Sequence, residues 1–169
     1  DHRDLHSFPT RRSSDLIDGV IQEAIAQARE RTKAETPIEA HIPRETGGEL
    51  GPSLAPNALI DKDMMTTALA EVLTNALQAS NNTPITVRAH TTGPDRRLVI
   101  TVEDKGVGMS PRALQHAFDP FFSERPAGRG TGLGLTRARR LVELHGGEIF
   151  LQSRLGLGTT ATINLPGGT

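Results

Sequence analysis

The sequence contains no cysteine, no tryptophan and no tyrosine, and only five phenylalanines among its 169 residues. The absence of cysteine excludes disulfides, thiolate metal sites and a cysteine nucleophile. No apolar run approaches the length of a membrane span. A net charge of −1 gives no general attraction to nucleic acid or to a membrane surface. With 36% hydrophobic and 23% charged residues, the composition is typical of a soluble globular protein of about one domain.

The first stretch of the chain, residues 1–16 (DHRDLHSFPTRRSSDL), has neither helical nor strand periodicity. It contains no initiating methionine and no apolar core of a signal peptide. The string resembles translated sequencing-adapter sequence, so we interpret it as a disordered, non-native tail and give its histidines no role. An apolar stripe at helical spacing begins at Ile17 and predicts a helix over residues 17–34.

Beyond that helix, strand-like and helix-like hydrophobic patterns alternate along the chain. The order is helix, strand, helix, hairpin, short helix, helix and hairpin. This order predicts an α/β (α+β) fold, a two-layer sandwich in which three helices cover a mixed, mainly antiparallel sheet. We expect strands at 37–43, 85–90, 98–103, 147–153 and 159–166, helices at 63–80, 110–117 and 135–145, and a loop at 44–58.

The helix predicted at 63–80 carries a polar stripe beside its apolar face. Glu71, Asn75 and Gln78 follow one another at i, i+4 and i+7. At about 100° per residue, Asn75 borders the apolar face, and we expect Glu71 and Gln78 farther out. Such a stripe is typical of the wall of a site, but it is equally typical of an ordinary helix edge.

The strand predicted at 98–103 runs into an acidic residue that should point inward. Leu98, Ile100 and Val102 share one face, and the same period-2 count places Asp104 on the interior side. An inward carboxylate is costly without partners. The following residues, KGVGM, predict a sharp turn. The pattern indicates either an acceptor delivered into a cavity or an Asp-x-Gly turn at a strand end.

Residues 128–135, GRGTGLGL, carry alternating glycines directly before a helical pattern. Each glycine costs roughly 0.5–1 kcal/mol relative to alanine in ordered structure, which suggests main chain that passes close to something. A glycine loop that opens a helix presents N–H groups suited to phosphate; a mobile surface loop is the alternative. The aromatic segment just before it, with Phe118, Phe121 and Phe122, is interpreted either as a lid over a ligand or as a core plug.

Taken in order, five blocks resemble the catalytic ATP-binding domain of sensor histidine kinases: EVLTNALQA (71–79), DKGVGM (104–109), FDPFF (118–122), GRGTGLGL (128–135) and HGG (145–147). These kinases belong to the wider ATPase superfamily of gyrase B, the heat-shock chaperone ATPases and MutL. The resemblance covers about residues 37–166, and NALQA and FDPFF look most like the nitrogen-regulation type of sensor kinase. It implies the Bergerat ATP-binding fold, with ATP and Mg²⁺ as ligands.

The resemblance also implies roles for individual residues. Asn75 would be the Mg²⁺ ligand and, together with Glu71, catalytic, and Asp104 would accept a hydrogen bond from the exocyclic amine of adenine. The remaining nucleotide-binding positions implied are Gln78, Gly106, Gly108 and Met109 beside the nucleotide, Phe118 and Phe122 as anchors of the lid, Arg125 as a cation for phosphate or a partner, Gly130, Thr131, Gly132, Leu133 and Gly134 around the phosphates, and Thr159 behind adenine.

One departure from the family pattern concerns the reaction itself. Many histidine kinases carry asparagine where Glu71 stands. A glutamate there resembles the ATP hydrolases and serine kinases of the superfamily, in which it orients or deprotonates a nucleophile. A related ATPase, an anti-sigma-type serine kinase, or a nucleotide-binding module without turnover are therefore the alternatives to a histidine kinase.

A second departure is the missing phosphoacceptor. His41, His90, His116 and His145 lie outside any segment like the Ser-His-Glu-Leu-Arg acceptor helix. We expect the acceptor histidine on a separate phosphoacceptor and dimerisation domain, from which residues 17–36 lead as a linker helix. The resemblance implies a response regulator receiver domain as the downstream partner. It implies a cytoplasmic location, or the cytoplasmic side of the inner membrane, without nucleic-acid or membrane contact by this segment.

Overall fold

The computed structural model describes residues 13–42, 60–124 and 130–167, with side chains from Leu16 onward. In chain order the elements are α1 (Ser13–Thr32), β1 (Ile38–His41), α2 (Lys62–Ala79), β2 (Ile85–Thr92), β3 (Arg97–Asp104), α3 (Pro111–Gln115), α4 (Gly134–Leu144), β4 (Glu148–Arg154) and β5 (Gly158–Leu165). The predicted loop at 44–58 lies outside the described residues.

The five strands form one sheet in the order β1-β2-β3-β5-β4. β1 pairs with β2 in parallel, and the other three pairings are antiparallel. Along β3 and β5 buried and half-buried residues alternate, as expected when one face of a sheet is covered and the other is not. The predicted mixed, mainly antiparallel sheet is confirmed.

Helices α2 and α4 pack on that sheet and α1 packs on α2, and buried residues of all three belong to one hydrophobic core in the described part of the chain. α2 is the central helix, because it contacts α1, α4 and the strands β3 and β5. Leu69 and Leu73 of α2 and Ile100 and Ile163 of the sheet are almost fully buried in this core. α3 is a short helix without buried residues that contacts β4.

The helix ends follow the local signals in the sequence. The Asp61 side chain accepts a hydrogen bond of 2.9 Å from the Met64 N–H and caps α2. Ser110 caps α3 in the same way, with Pro111 at the first helical position. Gly146 follows the last turn of α4 with a φ of +69°, a conformation that glycine adopts without strain.

Helix α1 begins earlier than the sequence pattern predicts. It starts at Ser13, within the segment interpreted as a disordered tail, and ends at Thr32 rather than at residue 34. Ile17, Val20 and Ile21 have no solvent exposure and belong to the same core as α2 and the sheet. Because this apolar face is buried against α2, α1 is packed into the domain rather than a free linker. In the described part of the chain, no helix has the length and apolar character needed to cross a bilayer.

Candidate functional site

A cavity of about 250 Å³ opens between α2, the aromatic segment and the start of α4. Half of the site residues singled out in the sequence line it, although they are up to 63 positions apart along the chain. Its lining consists of Glu71, Thr74, Asn75, Gln78, Ala117, Phe122, Ser123, Gly130, Thr131, Gly132, Gly134 and Leu135. The polar stripe of α2 is therefore the wall of a cavity and not an ordinary helix edge.

A second, smaller hollow of about 10 Å³ lies deeper and shares Asn75 and Leu135 with the larger cavity. Its polar residues are Asn75, Asp104 and Thr159, and its apolar walls are Val72, Ala76, Val102, Leu135, Leu151 and Ala161. Asn75 and Asp104 thus border the same hollow, and Asn75 also lines the larger cavity that the glycine loop borders. The hollow holds about one water molecule, so a purine ring needs more room there than the described conformation provides.

Asp104 points inward, as the period-2 pattern predicts, and is 3% exposed. It is the last residue of β3 and pairs with Thr159 of β5. Its Oδ1 accepts a hydrogen bond of 2.9 Å from the Gly106 N–H. The Asp-x-Gly turn and the inward acceptor are therefore both present. A carboxylate offers about four acceptor positions, so the turn bond is compatible with further acceptance from a ligand.

Thr159 is held by a hydroxyl network that the sequence did not indicate. Its Oγ1 lies 2.7 Å from Ser153 Oγ, and the same Ser153 oxygen accepts a 2.8 Å bond from the Met109 N–H. Ser153 thereby ties β4, β5 and the loop after β3 together next to Asp104. A half-buried serine on the strand facing Thr159 was the available signal, but it required the β4–β5 register.

The two glycines after Asp104 are explained by contacts within the chain. A Cβ on Gly106 would lie 1.7 Å from the Ala79 carbonyl oxygen at the end of α2, and one on Gly108 would lie 2.0 Å from the Arg154 carbonyl oxygen. Gly108 also has a φ of +66°. Main chain packs against main chain at both positions, whereas the adenine contact implied by the resemblance stays a prediction.

The phenylalanines of the aromatic segment lie partly against the core and partly at the surface. Phe118 is half-buried against the core, and the Arg139 guanidinium lies 5.1 Å from its ring centroid. Phe122 lines the cavity. Phe121 is 76% exposed, yet its N–H donates a 2.9 Å hydrogen bond to the Gly132 carbonyl oxygen. Phe118 thus packs against the core, as one of the two interpretations predicts, while the role of the segment as a lid over a ligand stays a prediction.

The glycine loop leads into α4 without a polar N-cap. The cap position is Leu133, whose side chain cannot accept a hydrogen bond, and Gly134 is the first helical residue. The first-turn N–H groups of a helix have no intrahelical acceptor. Gly134 and Leu135 of this first turn line the same cavity as Gly130, Thr131 and Gly132. This is the arrangement that favours an anion. Arg125 and Gly128 lie outside the described residues.

The position expected for Glu71 was wrong. Glu71 is only 9% exposed and more buried than Asn75, because α1 and α4 pack against that side of α2. Its Oε1 lies 3.1 Å from Nη1 of Arg31 in α1 and 2.9 Å from Nη1 of Arg137 in α4. Neither arginine was predicted from the sequence, because they are 40 and 66 positions away from Glu71.

His145 has a structural role, as expected. Its Nδ1 lies 2.7 Å from the Leu141 carbonyl oxygen, and its Nε2 accepts a 3.1 Å hydrogen bond from the Asp61 N–H. The Nδ1 contact stays within α4, and the bond at Nε2 joins the end of α4 to the start of α2. His116 pairs with Asp119 at 2.7 Å, and its ring centroid lies 5.2 Å from that of Phe122.

Residues 60–169 match the family described as histidine kinase-, DNA gyrase B- and HSP90-like ATPases. The chain belongs to this ATPase family. The cavity just described lies almost wholly within the matched segment, whereas Arg31 lies outside it.

Among curated relatives, the domain is 36% identical over 156 residues to the histidine protein kinase DivJ of Caulobacter vibrioides, covering 86% of this chain and 25% of that protein. It is 40% identical over 107 residues to the sensor histidine kinase ZraS of Salmonella typhi, covering 63% and 22%. The chain thus spans about a quarter of the length of these relatives.

Two solved structures share the fold. A mycobacterial sensor histidine kinase, MprB, superimposes with a TM-score of 0.68 at 24% identity, covering 90% of this chain and 95% of that chain. Full-length ShkA in complex with AMPPNP gives a TM-score of 0.69 at 22% identity, covering 100% of this chain and 33% of that chain. With the family match and the curated relatives, the chain is an ATP-binding catalytic domain of the histidine kinase type.

Proposed function

We propose that this ATPase domain binds Mg·ATP in the cavity beside α2 and transfers the γ-phosphoryl group to a histidine on a separate domain. The observation that carries the proposal is that Asn75 lines both the hollow that Asp104 borders and the larger cavity that the glycine loop borders. An acceptor at the closed end and an anion site at the open end match the two ends of a purine nucleotide.

The deep end has the chemistry that adenine requires. The Asp104 carboxylate borders a hollow whose apolar walls include Val102, Leu151 and Ala161, and it is the only charged side chain among the described residues that line this hollow. The exocyclic amine of adenine is a donor, and a carboxylate binds it while repelling the carbonyl oxygen that guanine has there. Thr159 lies on the neighbouring strand and would contact the ring from behind.

The open end has the chemistry that a triphosphate requires. The uncapped first turn of α4 and the glycines before it offer main-chain donors. The residues also fit Mg²⁺, which prefers oxygen ligands and keeps several waters, so one amide oxygen from Asn75 together with phosphate oxygens forms a sufficient donor set. When bound, Mg²⁺ neutralises charge on the transferred phosphoryl group. Gln78 lines the same wall and would contact the nucleotide.

The domain would contribute to phosphoryl transfer by positioning the nucleotide, since this reaction requires little covalent chemistry from the protein. The acceptor would be a phosphoacceptor and dimerisation domain, and a response regulator receiver domain would take the group next. We place the domain in the cytoplasm, or on the cytoplasmic side of a membrane if the whole protein is anchored. The segments NALQA and FDPFF support assignment to the nitrogen-regulation-like subgroup.

A related ATPase or serine kinase is the second candidate, because Glu71 borders the cavity where such enzymes carry their base. The structure argues against that role in the described conformation. Both arginine contacts of Glu71 fall on Oε1, and Oε2 faces the main chain at Gly134. A base needs an oxygen directed at its proton donor.

The experiment offers a histidine-bearing acceptor domain from a related kinase and a serine-bearing protein in parallel, with radiolabelled ATP and Mg²⁺. We expect acid-labile label on the histidine domain. Acid-stable label on the serine protein would favour the second candidate. ATP binding without transfer to any acceptor would favour a nucleotide-binding module without turnover.

A further inference from the structure

A buried carboxylate at the phosphate end of a nucleotide site raises an electrostatic problem. Glu71 lines the cavity beside the glycine loop, and a Cβ on Gly134, the first residue of α4, would lie 2.9 Å from its Oε2. The Glu71 carboxylate and a phosphate group carry like charges, which repel each other more strongly in a partly buried site than in water. Several phosphate charges multiply this repulsion, so an uncompensated Glu71 would oppose a triphosphate.

Two arginines from different helices compensate this charge. Arg31 ends α1 and Arg137 lies in the first turns of α4, and both guanidinium groups contact the same oxygen of Glu71. The three side chains together carry a formal charge of +1 instead of −1. Because Glu71 is 10% exposed at its side chain while the arginines are 39% and 56% exposed, the pairs lie at the edge of the interior. Solvent screens such pairs less than fully exposed ones.

We propose that Arg31 and Arg137 are positioning residues that hold and neutralise Glu71, so that a nucleotide can place its phosphates beside that carboxylate. The proposal rests on the proposed ATP binding. It also means that α1 completes the phosphate end of the site, although Arg31 lies outside the segment that matches the ATPase family.

The test measures ATP, ADP and AMP affinities of the full chain by calorimetry with Mg²⁺ at low salt. Arg137→Gln and Arg31→Gln are compared with Arg140→Gln, which removes the same charge from an exposed position of α4. We expect the dissociation constant for ATP to rise about fivefold in the first two variants, less for ADP, and less than twofold for AMP. Arg140→Gln should change all three less than twofold.

A loss of affinity that grows with the number of phosphates distinguishes charge compensation from loss of structure. A damaged fold would weaken the binding of AMP and ATP alike. Adding Glu71→Gln to Arg137→Gln should bring the ATP affinity back to within about twofold of the wild type, since the three positions again carry a formal charge of +1. Equal losses for ATP and AMP, losses no larger than for Arg140→Gln, or no recovery in the double variant would overturn the proposal. If the wild-type chain does not bind ATP, the proposed function itself fails, and that result appears before any variant is compared.

Discussion

Replacing Asp104 by asparagine tests the purine end of the site with little change of shape. Asparagine keeps one oxygen, which can still accept the 2.9 Å hydrogen bond from the Gly106 N–H that closes the turn after β3. The other carboxylate oxygen becomes an NH₂ group. A donor then faces the donor amine of adenine, in a position that is 3% exposed to water.

The expected loss of ATP affinity follows from two changes. One hydrogen bond to a charged group is lost, and two hydrogen-bond donors then face each other. That loss is about 1.5–3 kcal/mol, which raises the dissociation constant for ATP about 10- to 150-fold. Inosine triphosphate provides the sharper measurement, because its ring carries a carbonyl oxygen in place of the amine. The wild type should prefer ATP to inosine triphosphate, and Asp104→Asn should reduce or reverse that preference.

The assay is calorimetry, because a chain without tryptophan or tyrosine offers little intrinsic fluorescence change. Thermal unfolding of the same samples checks that the fold survives. Asp95→Asn is the matched control, since it makes the same chemical change in the exposed turn between β2 and β3. Unchanged ATP affinity in Asp104→Asn, with unchanged preference over inosine triphosphate, would refute the assignment of Asp104 to the purine.

Three further outcomes are expected. Asn75→Ala should abolish phosphorylation of an added acceptor domain while ATP affinity falls less, and undiminished transfer would count against a metal-binding role. Gly106→Ala should lower the free energy of unfolding by about 1–3 kcal/mol in denaturant titrations, since its Cβ would overlap the Ala79 carbonyl oxygen; wild-type stability would contradict that contact. The hydrogen bond from Arg97 lowers the pKa of the Asp95 carboxyl from 3.8. Asp95→Asn should therefore reduce the melting temperature slightly at neutral pH, and the difference should vanish as pH falls through that lowered pKa; a difference persisting at low pH would exclude the ion pair as its cause.

Several local features of the fold were predictable because neighbouring residues decide them. Period-2 alternation placed Asp104 inward, and Ser110 with Pro111 marked the start of α3. The spacing of Asn75 on α2 indicated the border of the apolar face, and that residue is half-buried at the cavity wall. Each of these depends on the geometry of one helix or strand, which the order of residues specifies directly.

The environment of Glu71 was not predictable in the same way. Helical spacing gave the side of α2 on which Glu71 lies, but it did not show which elements pack against that side. In the structure those elements are α1 and α4. The start of α1 at Ser13 was also missed, because a polar, aperiodic stretch can still extend a helix whose next turns are anchored by burial.

The sequence by itself determined the types and order of the elements, the inward acceptor at the end of β3 and the glycine-rich entry to α4. Only the tertiary structure decided that Arg31 and Arg137 share one oxygen of Glu71, that Ser153 supports Thr159, and that Gly106 is required by the end of α2. The physical reason is the separation along the chain over which each interaction acts. Periodicity and caps act within about one or two turns of chain, whereas charge pairing and main-chain contact depend on which distant segments pack together.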